Sequence, residues 1–138
     1  MLEHIEMNDK EYITEKKRIQ KLIKKWVKPL GLGWWYIDFT YNRDNSDESL
    51  EYKPREVDGK WEWVMVTSCD PAYLRARIIC NLKVVKDLDD YDLEHSFVHE
   101  LMHIFMATIH SPKTIMAEET IATQLARAFI WVSNWKTK

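Results

Sequence analysis

The stretch YDLEHSFVHELMHIF, Tyr91–Phe105, decides how this chain is read. Leu93, Phe97, Val98, Leu101, Ile104 and Phe105 recur at spacings of three and four, which predicts an amphipathic helix from about Tyr91 to His110. On that helix His99, Glu100 and His103 share the arc opposite the apolar one. They spell H-E-x-x-H. Two histidines one helical turn apart can reach a single Zn²⁺ ion, with the glutamate carboxylate beside it as a general base. The apolar arc already supplies the packing, so the histidines are not needed as filler. The plainer alternative is a surface helix with two solvated histidines and a glutamate. His95, one turn earlier on nearly the same side, is either an auxiliary group or a bystander.

Outward from this helix, the acidic run Asp87–Asp92 sits where a helix begins and reads as capping. A calcium loop would need the glycine and terminal glutamate that are missing here. Ser111-Pro112 ends the helix, and a last helix is expected from about Thr114 to Trp135. Upstream, Tyr12, Ile13, Ile19, Leu22, Ile23, Trp26 and Val27 predict a first helix over about Asp9–Lys28, closed by Pro29, Gly31 and Gly33. Its lysines form an ordinary solvated face. Trp34–Tyr41 reads as a strand. Asn42–Gly59 reads as a long polar loop. Trp61–Thr67 and Tyr73–Val85 read as two further strands, an antiparallel hairpin turning at Ser68-Cys69-Asp70-Pro71. The expected architecture is α+β: one small domain over residues 1–138, with helices on one side of a three-stranded, mainly antiparallel sheet.

The chain has 138 residues, 46% apolar and 30% charged, with 20 basic and 22 acidic side chains. That length suits one domain, and the charge balance gives no pull toward nucleic acid or membranes. Seven Trp and six Tyr suit a core filled with large rings, or less simply an aromatic groove. Met1–Lys28 carries charge throughout, so it reads as neither a signal peptide nor a membrane anchor. Cys69 and Cys80 make no disulfide framework, and a turn near Pro71 would set Cys80 against Glu62. Reduced thiols, a cytoplasmic location and a monomer are the expectations.

A catalytic zinc site of this kind needs three protein ligands and one open position. His110 is one candidate, but the all-histidine arrangement places its third histidine ten residues after the first, where Ile109 stands, with a glycine between that is absent here. Glu118 and Glu119 are the others, at the start of the last helix. Ala122 and Ala126 lie beside Glu119 on the wheel and would let two antiparallel helices approach closely. Glu118 lies nearer the middle of the apolar arc Ile121, Leu125 and Phe129, so burial alone keeps it in play. A charged first turn that stabilises the helix dipole is the plain reading of both.

H-E-x-x-H followed by a helix with a ligand glutamate resembles the gluzincin branch of zinc metallopeptidases. The size and element order resemble the minimal gluzincins and the small metallopeptidase-like domains of bacteria and phages. The resemblance covers roughly Arg75–Phe129. It implies His99, His103 and Glu119 as metal ligands, because Glu119, Ala122 and Ala126 match that group's phasing and Glu118 does not. Thr123 stands where the family often has an aspartate. The resemblance also implies Glu100 as the base, a peptide or protein substrate, and an edge strand before the motif helix as the substrate rail, here Arg75–Val84. Tyr91 and His110 are candidate oxyanion stabilisers without a spacing argument. Latency under an inhibitor or propeptide is compatible with the small size. Rival readings are a non-catalytic metal-binding or regulatory protein on a similar fold, and a DNA-associated SprT-like protease, which the charge balance does not favour.

Overall fold

A computed structural model describes residues 7–43, 56–57, 60–61 and 63–135. Helix α1 spans Asp9–Trp26, and the Asn8 side chain caps it by accepting from the Glu11 amide at 2.8 Å. The chain leaves α1 through Gly31, whose φ of +80° is open to glycine at little cost. Strand β1 follows at Tyr36–Asn42, then a short ribbon of β2 (Glu56–Val57) with β3 (Lys60–Trp61), then β4 (Met65–Asp70) and β5 (Arg75–Asn81). Three helices complete the order: the single turn α2 (Leu82–Val85), α3 (Asp90–Phe105) and α4 (Ile115–Trp135). The molecule is a small mixed α+β domain. Among the described residues, no helix is long and apolar enough to cross a membrane.

The main sheet runs β1-β5-β4. β4 and β5 form the expected antiparallel hairpin, but β1 lies parallel to β5, so the sheet is mixed rather than mainly antiparallel. The hairpin turn, a 3-10 turn at Pro71–Tyr73 followed by Leu74 in the left-handed region, is longer than expected. Cys80 therefore pairs with Met65 and Cys69 with Ala76. Glu62 lies outside the described residues, as does most of the segment read as a polar loop. Both cysteines are free thiols. Burial raises both, Cys69 to about 11 and Cys80 to about 12.

The register sorts the sheet into two faces. Ile37, Phe39 and Tyr41 align with Ala76, Ile78 and Cys80, and these with Met65, Thr67 and Cys69. That face receives α3: Phe39 stacks on Phe97 with centroids 6.0 Å apart. Phe97 joins Ile19, Leu32, Ile78, Leu82, Val85, Leu93, Val98, Leu101 and Ile104 in a fully buried core. Of the arc expected on α3, only Phe105 is exposed. The α3 N-terminus is capped by Asp89, which accepts from the Asp92 amide at 2.8 Å, so capping is the role of this acidic residue. α3 ends at Phe105, and Ala107–Ile109 forms a 3-10 turn in place of the last predicted turn.

Helix α4 packs on α3 through Glu118, Ala122, Ala126 and Ile130. The arc Ile121, Leu125 and Phe129 faces away from the core. Glu118 consequently sits in the buried stripe, not in the middle of the apolar arc. The alanines do what small residues permit, bringing two helices close together.

Candidate metal centre

Helix α3 places His99 and His103 on successive turns with ring centroids 4.9 Å apart, edge to face. Their Nε2 atoms converge to 3.1 Å. From α4, the Glu119 carboxylate reaches the same point, 3.2 Å from His99 Nε2 and 2.9 Å from His103 Nε2. Three donor groups from two helices thus close a small triangle. Three ligands on one tetrahedral ion at zinc–ligand distances stand about 3.4 Å apart, so the triangle needs only slight expansion to receive a cation. Glu100 lies alongside, and one donor atom each from His99, Glu100 and His103 all fall within 4.8 Å of one another.

The outer nitrogens of both imidazoles are held as well. Glu118 is buried and accepts from His103 at Nδ1 over 2.8 Å, and its second oxygen meets His110 Nδ1 at 2.6 Å. Burial alone raises the Glu118 carboxyl, but the hydrogen bonds with His103 and His110 outweigh it and hold the carboxyl below its ordinary value. Thr123 Oγ1 lies 3.3 Å from His99 Nδ1. Each histidine thereby keeps its Nε2 aimed at the triangle, the orientation a metal-binding imidazole needs. Burial lowers the His99 pKa, with Glu119 opposing and His103 adding to the effect, which favours the neutral ring that can donate a lone pair.

Glu100 is buried although the sequence placed it on the polar arc. Strand β4 covers it: the Thr67 hydroxyl donates to Glu100 Oε1 at 3.2 Å. Burial pushes the carboxyl up to about 8, with the Thr67 bond pulling down and Glu119 adding to the rise.

An open groove runs past this centre. Tyr91, His95, His99, His103 and His110 line one wall, and Thr67, Ser68 and Cys69 of β4 line another. β5 is the central strand of its sheet, with both edges paired, so Arg75–Asn81 offers no free edge and the expected substrate rail is not there. Among the described residues, the outer strand beside α3 is β4. His110 stays outside the triangle, bound to Glu118. Tyr91 lies tilted against His95 with ring centroids 4.4 Å apart, and His95 Nε2 is buried without a hydrogen-bond partner among the described residues.

Sequence reasoning brought His99, Glu100, His103 and Glu119 together, and the structure gathers the same four side chains. It missed Thr67, which carries no motif and reaches Glu100 only through the register of β4. It weighed Glu118 only as a ligand or a dipole charge. The signal for its actual contacts was its burial beside two histidines. No protein-family model matches this chain, and no curated protein or solved structure matches it either.

Proposed function

We propose that this protein is a zinc-dependent peptidase of the gluzincin kind, with His99, His103 and Glu119 as the metal ligands and Glu100 as the general base. The observation that carries the reading is the triangle of two imidazole Nε2 atoms and one carboxylate with sides of 2.9–3.2 Å, beside a buried glutamate. A two-nitrogen, one-oxygen donor set suits zinc and leaves a fourth position free. Zinc in such a site supplies a Lewis acid and a water acidic enough to lose its proton near neutral pH. With the ion bound, its positive charge would favour the ionised Glu100 carboxylate against the effect of burial, and Glu100 would take that proton and deliver it to the leaving amine. Thr67 holds the carboxyl in place between these transfers. The β4 edge supplies backbone groups with which an extended peptide can pair, in the role first expected of the following strand. The free thiols Cys69 and Cys80 accord with a reducing, cytoplasmic setting.

The test is a metal assay followed by one conservative substitution. Protein purified without chelator should carry about one zinc per chain. Glu100→Gln should keep that zinc and lose cleavage of a quenched peptide library by at least about 100-fold. A chain that binds no zinc, or a Gln variant that cleaves as well as the parent, refutes the reading. A chain that binds zinc but cleaves nothing points instead to a non-catalytic metal site, in which the buried base has no task.

A further inference from the structure

Helix α4 is turned inside out with respect to residue size. Its inward stripe is Glu118, Ala122, Ala126 and Ile130, mostly small or polar. Its large apolar side chains point outward: Ile121 is 41% exposed, Leu125 38%, Phe129 38%, Val132 44%, Trp131 65% and Trp135 63%. At 100° per residue these six share one continuous arc of roughly 160°. Arg127 is the one charged residue between Ile121 and Trp135, and it lies outside that arc, on the groove side.

We infer that this face of α4 is a self-association surface, and that two copies of the chain pair α4 against α4 in a two-fold dimer. At about 200 Å² for a large side chain, the exposed fractions amount to roughly 600 Å². That reaches the top of the range for the largest apolar patch on a monomer, about 300–600 Å². It also approaches the roughly 800 Å² per partner of a stable interface, and doubled it exceeds the roughly 1,000 Å² total that a specific one requires. The face carries both a knob and a hole. Trp131 and Trp135 stack at 5.9 Å as a raised ridge. Phe129 and Val132 border a hollow of about 330 Å³ whose far wall is Trp26, Pro29 and Leu30 at the end of α1, with Lys25 at its margin already paired with Glu94 at 2.7 Å. A ridge and a hollow on one mostly apolar surface are what a two-fold pairing requires, because each copy fills the other. The absence of charge on the arc gives no complement to an acidic or basic partner. An anionic membrane is disfavoured as well, since among the described residues the polar side of α4 carries Arg127 against Glu119 and no basic cluster. Glu119 and Thr123 leave the helix on the opposite side, so the pairing leaves the groove open. The dimer departs from the monomer expected at this size, and it stands or falls independently of any metal.

Sedimentation equilibrium on the full chain tests it. The expected mass is about 33 kDa, twice the 16.6 kDa chain, at a loading of about 100 µM. Leu125→Glu and Trp131→Glu, each at an exposed position, should weaken association at least about 100-fold while leaving the far-ultraviolet circular dichroism unchanged. Should Leu125→Glu fail to fold, Trp131→Glu decides the matter, because that ring is mostly solvated. Met116→Glu, equally apolar and exposed but off the arc, should leave the dimer intact. A monomer at that loading overturns the inference. So does a dimer indifferent to both arc variants, one that Met116→Glu disrupts equally, or a monomer that instead binds phosphatidylcholine vesicles through the same face.

Discussion

Glu119 directs its carboxylate at the two Nε2 atoms, while Glu118, one residue earlier, grips the far side of His103 at Nδ1. Adjacent residues on a helix are turned by about 100°, which is enough to put one in the groove and the other in the seam between α3 and α4. In the sequence both stand in the first turn of a helix and share a plain electrostatic rationale. The alanine phasing does not separate them, because Ala122 and Ala126 share the buried stripe with Glu118. If the triangle is a metal site, Glu119→Ala should weaken zinc binding by several orders of magnitude, since it removes one of three ligands. Glu118→Ala should cost about 10–100-fold, the usual effect of losing the group that orients a ligand imidazole. Glu118→Gln should fall between the parent and Glu118→Ala, because the amide oxygen can still accept from His103. Competition with a chromophoric chelator measures all three. If Glu118→Ala proves the more damaging, the ligand and its support exchange places.

At the scale of elements, the helices were legible because burial follows their period. The cap at Asp89 was legible because short acidic side chains mark helix starts, whereas the Asn8 cap was not read. The order of strands was not. Whether β1 runs parallel or antiparallel to β5 depends on a long connection that leaves no local trace. A hint did exist: Ile78-Ile79-Cys80 is a continuous apolar run buried on both sides, as a central strand requires, whereas the exposed and half-buried positions of β4 suit an edge. The outward arc of α4 reversed the usual rule because the seam with α3 is too narrow for large side chains. Ala122 is fully buried in that seam. Ala122→Leu should therefore overpack it, destabilise the fold by about 1–3 kcal/mol and move α4 away from α3. On the proposed metal reading, zinc affinity should fall although no ligand is altered, because Glu119 travels with its helix. Urea unfolding together with the chelator titration separates the two effects. Unchanged affinity in a destabilised variant would mean that Glu119 adjusts independently of the seam.

Across the whole molecule, one side chain ties the N-terminal helix to the entrance of the motif helix. Arg18 on α1 donates to the carbonyl oxygens of Val85 at 3.1 Å and Leu88 at 2.8 Å, and to Asp90 at 2.9 Å. It also pairs with the buried Glu15 at 2.8 Å. Its planar fork serves both carbonyls and both carboxylates at once, a pattern that a single ammonium cannot reproduce. One turn and more along α1, Lys25 and Trp26 Nε1 both donate to Glu94 of α3, at 2.7 and 2.9 Å. None of this was visible in the sequence, where only the apolar residues and the lysines of this helix were read and Arg18 carried no signal. Replacing Arg18 with Met keeps the aliphatic packing but strands two carbonyls and a buried carboxylate. Such losses cost about 1–3 kcal/mol each when unrelieved, and partial hydration at the surface end reduces the total, so the variant should lose about 2–3 kcal/mol. Arg18→Lys should recover only part of it. Because Arg18 contacts none of the candidate metal-centre residues, the proposed function predicts that the folded fraction of Arg18→Met binds zinc as the parent does. A Met variant as stable as the parent would remove Arg18 from the stability of the fold. A variant that keeps its stability but binds zinc weakly would mean that the α1 contact instead tunes the position of α3, and through it the spacing of His99 and His103 against Glu119.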